Sequence, residues 1–223
     1  MPHKRSEAAR LQILAECANA RRRKKADLDS RIKSCRRCFH PDRLNEPGVT
    51  GSAPGFGSIE APVAIVGEAL CRRCMEAQEP FYRGSGAVLD RVFIRAKCTK
   101  ADLFITNSIH CHPPGDRDPY PHETQNCAEF LRTELHDIVR PGVVIGVGKF
   151  ARQAVLRLYP KPIAREINWP FRIPRSRKAD PPNLTYLVFP PHPYHIMTRP
   201  ALDRELYERR LARAIEWGFT RSQ

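Results

Sequence analysis

The residues best suited to chemistry are Glu68, Phe81, Asn107 and His192, because each lies just beyond an apolar run or on the loop that leaves one. Pro62 to Val66 is short, apolar and β-branched, as a buried strand should be. Gly67 then opens a loop that puts Glu68 at the strand's carboxyl end, where open α/β sheets have their ligand crevices. Further along the same loop, Pro80-Phe81 offers a ring just before a Gly-Ser-Gly turn. A carboxylate and an aromatic ring on one loop can hold something flat. The same pattern also fits an ordinary βα loop with a solvated Glu and a core Phe. Asn107 closes a second run, Leu103 to Asn107, and faces the same crevice, while Pro190-Pro191-His192-Pro193 brings a histidine to the end of a later run, Leu184 to Phe189.

The second set of reactive residues is the cysteines, eight in all. In a reducing compartment, cysteines point to metal binding or chemistry before disulfides. Cys35-Arg-Arg-Cys38 has the bite to hold one metal centre with both thiolates but needs two further ligands. Cys71-Arg-Arg-Cys74 repeats the spacing with different flanks, so it is no internal repeat. Cys111 lies in a Pro-rich loop and Cys127 in a helix. Cys17 and Cys98 read as ordinary thiols.

The elements that must position these groups alternate. Residues 4 to 34 read as a helix with a weak apolar stripe and a basic run, Arg21 to Lys25, that suits either a solvated face or a grip on phosphates. Residues 39 to 60 are rich in Gly and Pro and read as a connecting loop. Helices are expected at Ala87 to Ala96, His122 to Val139, Lys149 to Leu158 and 201 to 217, with Val143 to Gly148 as the third strand and residues 160 to 183 as a long loop. Strands alternating with helices need crossover connections, which predicts a three-layer α/β/α sandwich around a four-stranded parallel sheet. Residues 1 to 28 read as a basic helical extension and 29 to 223 as the domain.

The balance of 38 Lys and Arg against 24 Asp and Glu leaves a formal charge of +14, which favours a polyanionic partner, most simply nucleic acid. No stretch is long and apolar enough to cross a membrane, and the N-terminus lacks the apolar core of a secretory signal. An intracellular monomer is the expectation.

Taken in order, these motifs resemble the uracil-DNA glycosylase superfamily, most closely its iron-sulfur family 4, over roughly residues 29 to 217. The resemblance rests on Cys35 and Cys38, Gly67-Glu68-Ala69, Pro80-Phe81, Thr106-Asn107, Cys111-His-Pro-Pro114, Cys127 and His192-Pro193. It implies a DNA glycosylase that removes uracil and leaves an abasic site for base excision repair. Glu68 and His192 would be catalytic, and Phe81, Asn107 and Ala69 would hold the base. Ile196, Met197 and Arg199 would contact single- or double-stranded DNA. Cys35, Cys38, Cys111 and Cys127 would ligate a [4Fe-4S] cluster, with zinc at the same four thiolates as the alternative. His110 and His112 could substitute as ligands. The residue types suit the chemistry: breaking an N-glycosidic bond builds positive charge on the sugar and negative charge on the leaving base, and the base must first leave the stack.

The chain departs from the family after Gly67-Glu68-Ala69. Leu70-Cys71 replaces Pro-Gly, Arg72-Arg73-Cys74 replaces acidic residues, and Gln78 and Arg83 stand at two glycine positions, where a side chain limits backbone approach to the base. In the family, an acidic residue at the Cys74 position helps shape the pocket against thymine. Other readings therefore stay open: a glycosylase for a different modified base, a weak or inactive iron-sulfur nucleic-acid-binding protein of the same fold, or a second metal site at Cys71 and Cys74.

Overall fold

The computed structural model describes residues 7–38, 52–174, 181 and 184–221. The expected connecting loop therefore lies outside the described residues from 39 to 51, as does the loop at 175–180 and 182–183, together with residues 4–6 of the expected first helix.

The helices are α1 (Glu7–Lys33), α2 (Arg72–Ala77), α3 (Gly86–Arg95), α4 (Pro121–Arg132), α5 (Lys149–Leu158), α6 (Pro193–Met197) and α7 (Ala201–Arg221). After α4 the chain continues without a break through a wider π-helical stretch, Thr133–Val139. The strands are β1 (Phe56–Gly57), β2 (Val63–Gly67), β3 (Phe104–Asn107), β4 (Val143–Gly146), β5 (Ala164–Ile167) and β6 (Thr185–Val188).

The sheet corrects the sequence expectation: it has six strands, not four, in the order β1-β3-β2-β4-β6-β5. β1 runs antiparallel to β3, and the other four pairings are parallel. The two added strands are both edges. β1 is only two residues long, and in β5 the buried Ala164 is followed by Arg165, Glu166 and Ile167, of which Glu166 is exposed. An edge strand carries charge outward and lacks the continuous apolar run of a central one, so neither stands out from its loop.

Both faces of the sheet are covered. Val63, Ile65, Ile105, Val143, Ile145 and Val188 pack with α3 and α7. The intervening residues Ala64, Val66, Phe104, Val144 and Leu187 pack against α1, α4 and α5 on the other side. This period-2 division of β2, β3 and β4 is what makes a three-layer sandwich. Leu28 and Ile32 of α1 are fully buried in that second core, each contributing roughly 1.5–3 kcal/mol, and α1 runs unbroken through residue 28. On the opposite face Arg91 and Arg95 of α3 clamp Glu208 of α7, at 2.6 and 3.3 Å.

The strand order fixes where a ligand can enter. From β2 the chain moves to β3 on one side, and from β3 it returns to β4 on the other side. The loops after β2 and β4 therefore diverge, leaving a crevice at their carboxyl ends.

Candidate functional site

Gly67 ends β2 at that crevice. It pairs with Asn107 at the ends of β2 and β3. A methyl group on Gly67 would meet Asn107 Oδ1 at 2.3 Å and the Phe81 ring at 2.7 Å. The amide and the ring therefore converge over one Cα, which only glycine leaves uncovered. Glu68 follows directly, and its carbonyl is fixed by Ser108 Oγ (2.6 Å) and the Ile109 N–H (3.1 Å), tying the loop after β2 to the loop after β3. Ala69 is half-buried and packs against the second core.

Phe81 holds a left-handed backbone (φ 54°). Its carbonyl accepts from Lys100 Nζ at 3.1 Å, and Lys100 is itself anchored on Glu79 at 2.6 Å. Gly86 closes the turn: a Cβ there would stand 1.8 Å from the Phe81 carbonyl oxygen. The residues at the two departed glycine positions, Gln78 and Arg83, also keep positive φ (52° and 59°) and are exposed. Both keep the left-handed backbone a glycine turn would use, while Gln78 Nε2 donates back to the Met75 carbonyl at 2.9 Å and Arg83 lies over the Tyr82 ring at 5.2 Å.

His192 caps α6. Its ring centroid lies 6.3 Å from that of Phe81, with the planes inclined at 36°. It leans on Gly148 of the loop after β4, where a Cβ would come within 3.0 Å of its own. Nδ1 accepts the Tyr194 N–H at 3.3 Å, so a neutral ring carries its proton on Nε2. Burial, then the neighbouring His195, push its pKa down to about 4. Glu68 moves the other way: burial, helped by Asp118 and opposed by Lys149, raises its carboxyl to about 7. The site thus pairs a neutral imidazole with a carboxyl that ionises near neutrality.

Beyond His192, α6 divides its side chains. Ile196 is part of the core, whereas Met197 and Tyr194 are exposed. Arg199 lines a cavity of about 210 Å³ with Trp169, Tyr207 and Arg210.

Cys35, Cys38, Cys111 and Cys127 are all free thiols. Asn126 Nδ2 donates to Cys38 Sγ at 3.3 Å, and Arg37 stacks over Phe130 at 4.6 Å, docking the chain after α1 onto α4. Cys111 and Cys127 are buried. The Cys111 thiol is held strongly protonated by burial and by the nearby charges of Cys127, Cys38 and Cys35, so the four sulfurs share one electrostatic neighbourhood. Among the described residues, no group of three or more Cys, His, Asp or Glu is gathered so as to hold one metal ion.

Each expected substitute ligand has one ring nitrogen engaged. His112 Nδ1 is 2.9 Å from the Leu70 carbonyl. His110 Nε2 is 3.1 Å from Glu134 Oε2, which also accepts from Thr106 Oγ1 at 2.6 Å. Glu134 Oε1 takes the Gly55 N–H at 2.8 Å. Burial disfavours the His110 charge, but Glu134 and Cys127 outweigh it and raise its pKa to about 10. His110 Nδ1 remains a buried donor without a hydrogen-bond partner among the described residues. Cys71 and Cys74 face one another, Sγ to Sγ 2.9 Å, rather than a set of metal ligands.

Sequence reasoning missed Lys100, Gly148 and the His110–Glu134 pair. Gly148 could have been suspected from the glycines that end the VVIGVG run. Lys100 and Glu134 give no signal, since their role depends on which loop they reach.

Comparison with known proteins places the chain in a family. The type-4 uracil-DNA glycosylase of Archaeoglobus fulgidus is 32% identical over 186 residues, covering 82% of this chain and 87% of that protein. The type-4 enzyme of Pyrobaculum aerophilum is 29% identical over 191 residues, 85% and 92% of the two chains. The type-5 uracil-DNA glycosylase of the latter organism is 41% identical over 56 residues, 25% of this chain and 24% of that protein. A family model described as the uracil DNA glycosylase superfamily matches residues 54–216, which include all four crevice residues, and the chain belongs to that superfamily.

Proposed function

We propose that this chain hydrolyses the N-glycosidic bond of uracil flipped out of DNA and leaves an abasic site. The observation that carries this reading is the convergence of Asn107 Oδ1 and the Phe81 ring over Gly67, with Glu68 next in the chain and the His192 ring beside Phe81.

The flipped base stacks on Phe81, whose backbone carbonyl is held by Lys100 and whose ring lies against Gly67. Asn107 both donates and accepts, which reads the pairing edge of uracil against that of cytosine. As the glycosidic bond breaks, negative charge gathers on the base carbonyl, and the Nε2–H of His192 is the donor for it. Because its pKa is depressed, His192 does this as a neutral imidazole, stabilising the departing anion by a fixed hydrogen bond. Glu68, once ionised, faces the cationic sugar and orients the attacking water. Its raised pKa makes the active form rise with pH through about 7. Exposed Met197 fills the gap left by the base, held in place by buried Ile196, while Arg199 contacts phosphate.

The four thiols of Cys35, Cys38, Cys111 and Cys127 fit a [4Fe-4S] cluster as a donor set. Zinc at the same four thiolates is the alternative. The orphaned His110 Nδ1 beside Cys127 is a donor suited to a cluster thiolate. Such a group, when bound, would tie the chain after α1 to the Cys111 loop and α4.

The test is base release from end-labelled oligonucleotides carrying uracil, hypoxanthine, xanthine or thymine opposite guanine. Release of uracil supports the reading. Release of another base alone would assign a different specificity to the 70–83 loop, and salt-sensitive DNA binding without any release would replace the catalytic reading by a binding one.

A further inference from the structure

The chemistry above leaves Cys71-Arg72-Arg73-Cys74 unused. Cys71 is the N-cap of α2 and Cys74 lies within its first turn, so the two side chains meet: Sγ to Sγ is 2.9 Å, and both are free thiols. A disulfide needs a separation of about 2.05 Å, so bonding asks for a sulfur shift of under about 1 Å. The two are unequal in access. Cys74 is buried (5% exposed) beneath Leu70 and Ala53, while Cys71 is partly exposed and flanked by exposed Arg72 and Arg73.

Their chemistry is unequal as well. Cys71 Sγ accepts the Cys74 backbone N–H at 3.4 Å and lies within hydrogen-bond distance of the Cys74 thiol. The Cys74 thiol stabilises the Cys71 thiolate first, against burial, and its pKa falls to about 6, whereas the Cys74 thiol is pushed up by that same partner and by burial. An accessible thiolate next to a buried, protonated thiol is the arrangement of an attacking and a resolving cysteine.

We propose that Cys71 and Cys74 form a thiol–disulfide exchange site for anionic low-molecular-weight disulfides of the glutathione class. Cys71 attacks one sulfur of RSSR; the Cys71–SR bond forms as the RS–SR bond breaks, and RS⁻ leaves. Cys74 gives up its proton and attacks Cys71 Sγ, forming the Cys71–Cys74 bond and expelling the second RS⁻. The two protons of the original thiols end on the two RSH products, so the protein is oxidised by two electrons and RSSR is reduced by two. Arg73 offers a cation to the carboxylates of such a partner, and Arg72, paired with exposed Glu76 at 3.1 Å, offers a second by exchanging that surface ion pair. The pair sits on the segment joining Glu68 to Phe81, with Cys74 Sγ 3.9 Å from the Tyr82 carbonyl, so the exchange occurs within the loop that carries the stacking ring.

The test treats reduced full-length protein with oxidised glutathione, quenches with iodoacetamide after denaturation, and maps Cys71 and Cys74 by mass spectrometry. The expected product is an intrachain Cys71–Cys74 link with neither thiol alkylated. Cys74→Ser should instead accumulate glutathione on Cys71, and Cys71→Ser should react at Cys74 at least tenfold more slowly than wild type reacts at Cys71. Wild-type protein with both thiols alkylated would overturn the proposal, as would glutathione retained on Cys71 in wild type, or a Cys71→Ser variant that reacts as fast. Base release is not read, so failure here leaves the glycosylase reading intact.

Discussion

The Phe81 and His192 rings stand 6.3 Å apart and inclined at 36°, although 111 positions separate the two residues in the chain. Phe81 reaches this position from the loop after β2 and His192 from the end of β6, and each leans on a glycine. Gly67 underlies the Phe81 ring and Gly148 underlies His192. The crevice is therefore shaped by what those two glycines lack.

Gly67→Ala is the sharpest test of that shape. The added methyl would overlap Asn107 Oδ1 and the Phe81 ring, so both must shift. Displacing the groups that hold the base by about 1 Å costs on the order of 100-fold in rate. Single-turnover uracil release should fall by that factor while the circular dichroism spectrum is unchanged. Near wild-type release would show that the two side chains do not meet over Gly67 in the working enzyme.

Glu68 should govern the pH profile. Its folded pKa, about 7, lies above the ordinary carboxyl value of 4.5, so the folded state binds more protons between these limits. Ionisation is needed for activity, and release should rise about tenfold per pH unit below 7 and level off above it. For stability the sign is opposite: folding loses free energy as pH rises from 4.5 to about 7, because the unfolded carboxyl ionises first. Glu68→Gln should abolish the pH limb, lower the plateau by about 100-fold or more, and raise Tm at pH 8 more than at pH 5. A variant that keeps the acid limb assigns it to another group.

Much of this was legible in the sequence, and the missing parts share a cause. β2, β3, β4 and β6 are continuous apolar runs because both of their faces are buried, so their positions and the residues at their ends could be read directly. β1 and β5 are edges whose residues answer to solvent on one side, and no run marks them. Lys100 belongs with these: it matters because its ammonium reaches the Phe81 carbonyl across the fold, and a lysine before a strand carries no trace of that. Gln78 and Arg83 looked like obstacles to a glycine turn. Their left-handed backbones show that the turn was kept at a cost in strain.

That strain can be measured. A non-glycine residue in the left-handed region gives up roughly 1 kcal/mol relative to glycine. Gln78→Gly and Arg83→Gly should each raise stability by up to about 1 kcal/mol in denaturant melts. Clear destabilisation by both would mean that the side chains make contacts that outweigh the strain.

The buried His110–Glu134 pair should be the opposite case. Glu134 accepts from Thr106 and Gly55 as well as meeting His110, and removing it strands a buried cation. Glu134→Ala should cost about 3–5 kcal/mol, a drop in Tm of about 10 °C for a chain of this size. A loss under about 1 kcal/mol in urea titration would show that His110 is neutral in the folded protein.

Metal content separates the cluster from zinc at the four thiolates. Purified protein should contain iron and acid-labile sulfide in near-equal amounts, and Cys127→Ala should lose both along with the visible absorbance. Stoichiometric zinc without sulfide would assign the thiolates to a single ion instead.

The most direct test of the crevice is single-turnover uracil release by wild-type protein, Asn107→Ala and His192→Ala, measured on uracil-containing oligonucleotides at pH 8. We expect release by wild type and a loss of at least 100-fold in each variant, with DNA binding within threefold of wild type. Unchanged release in both variants would contradict the assignment of the crevice as the active site.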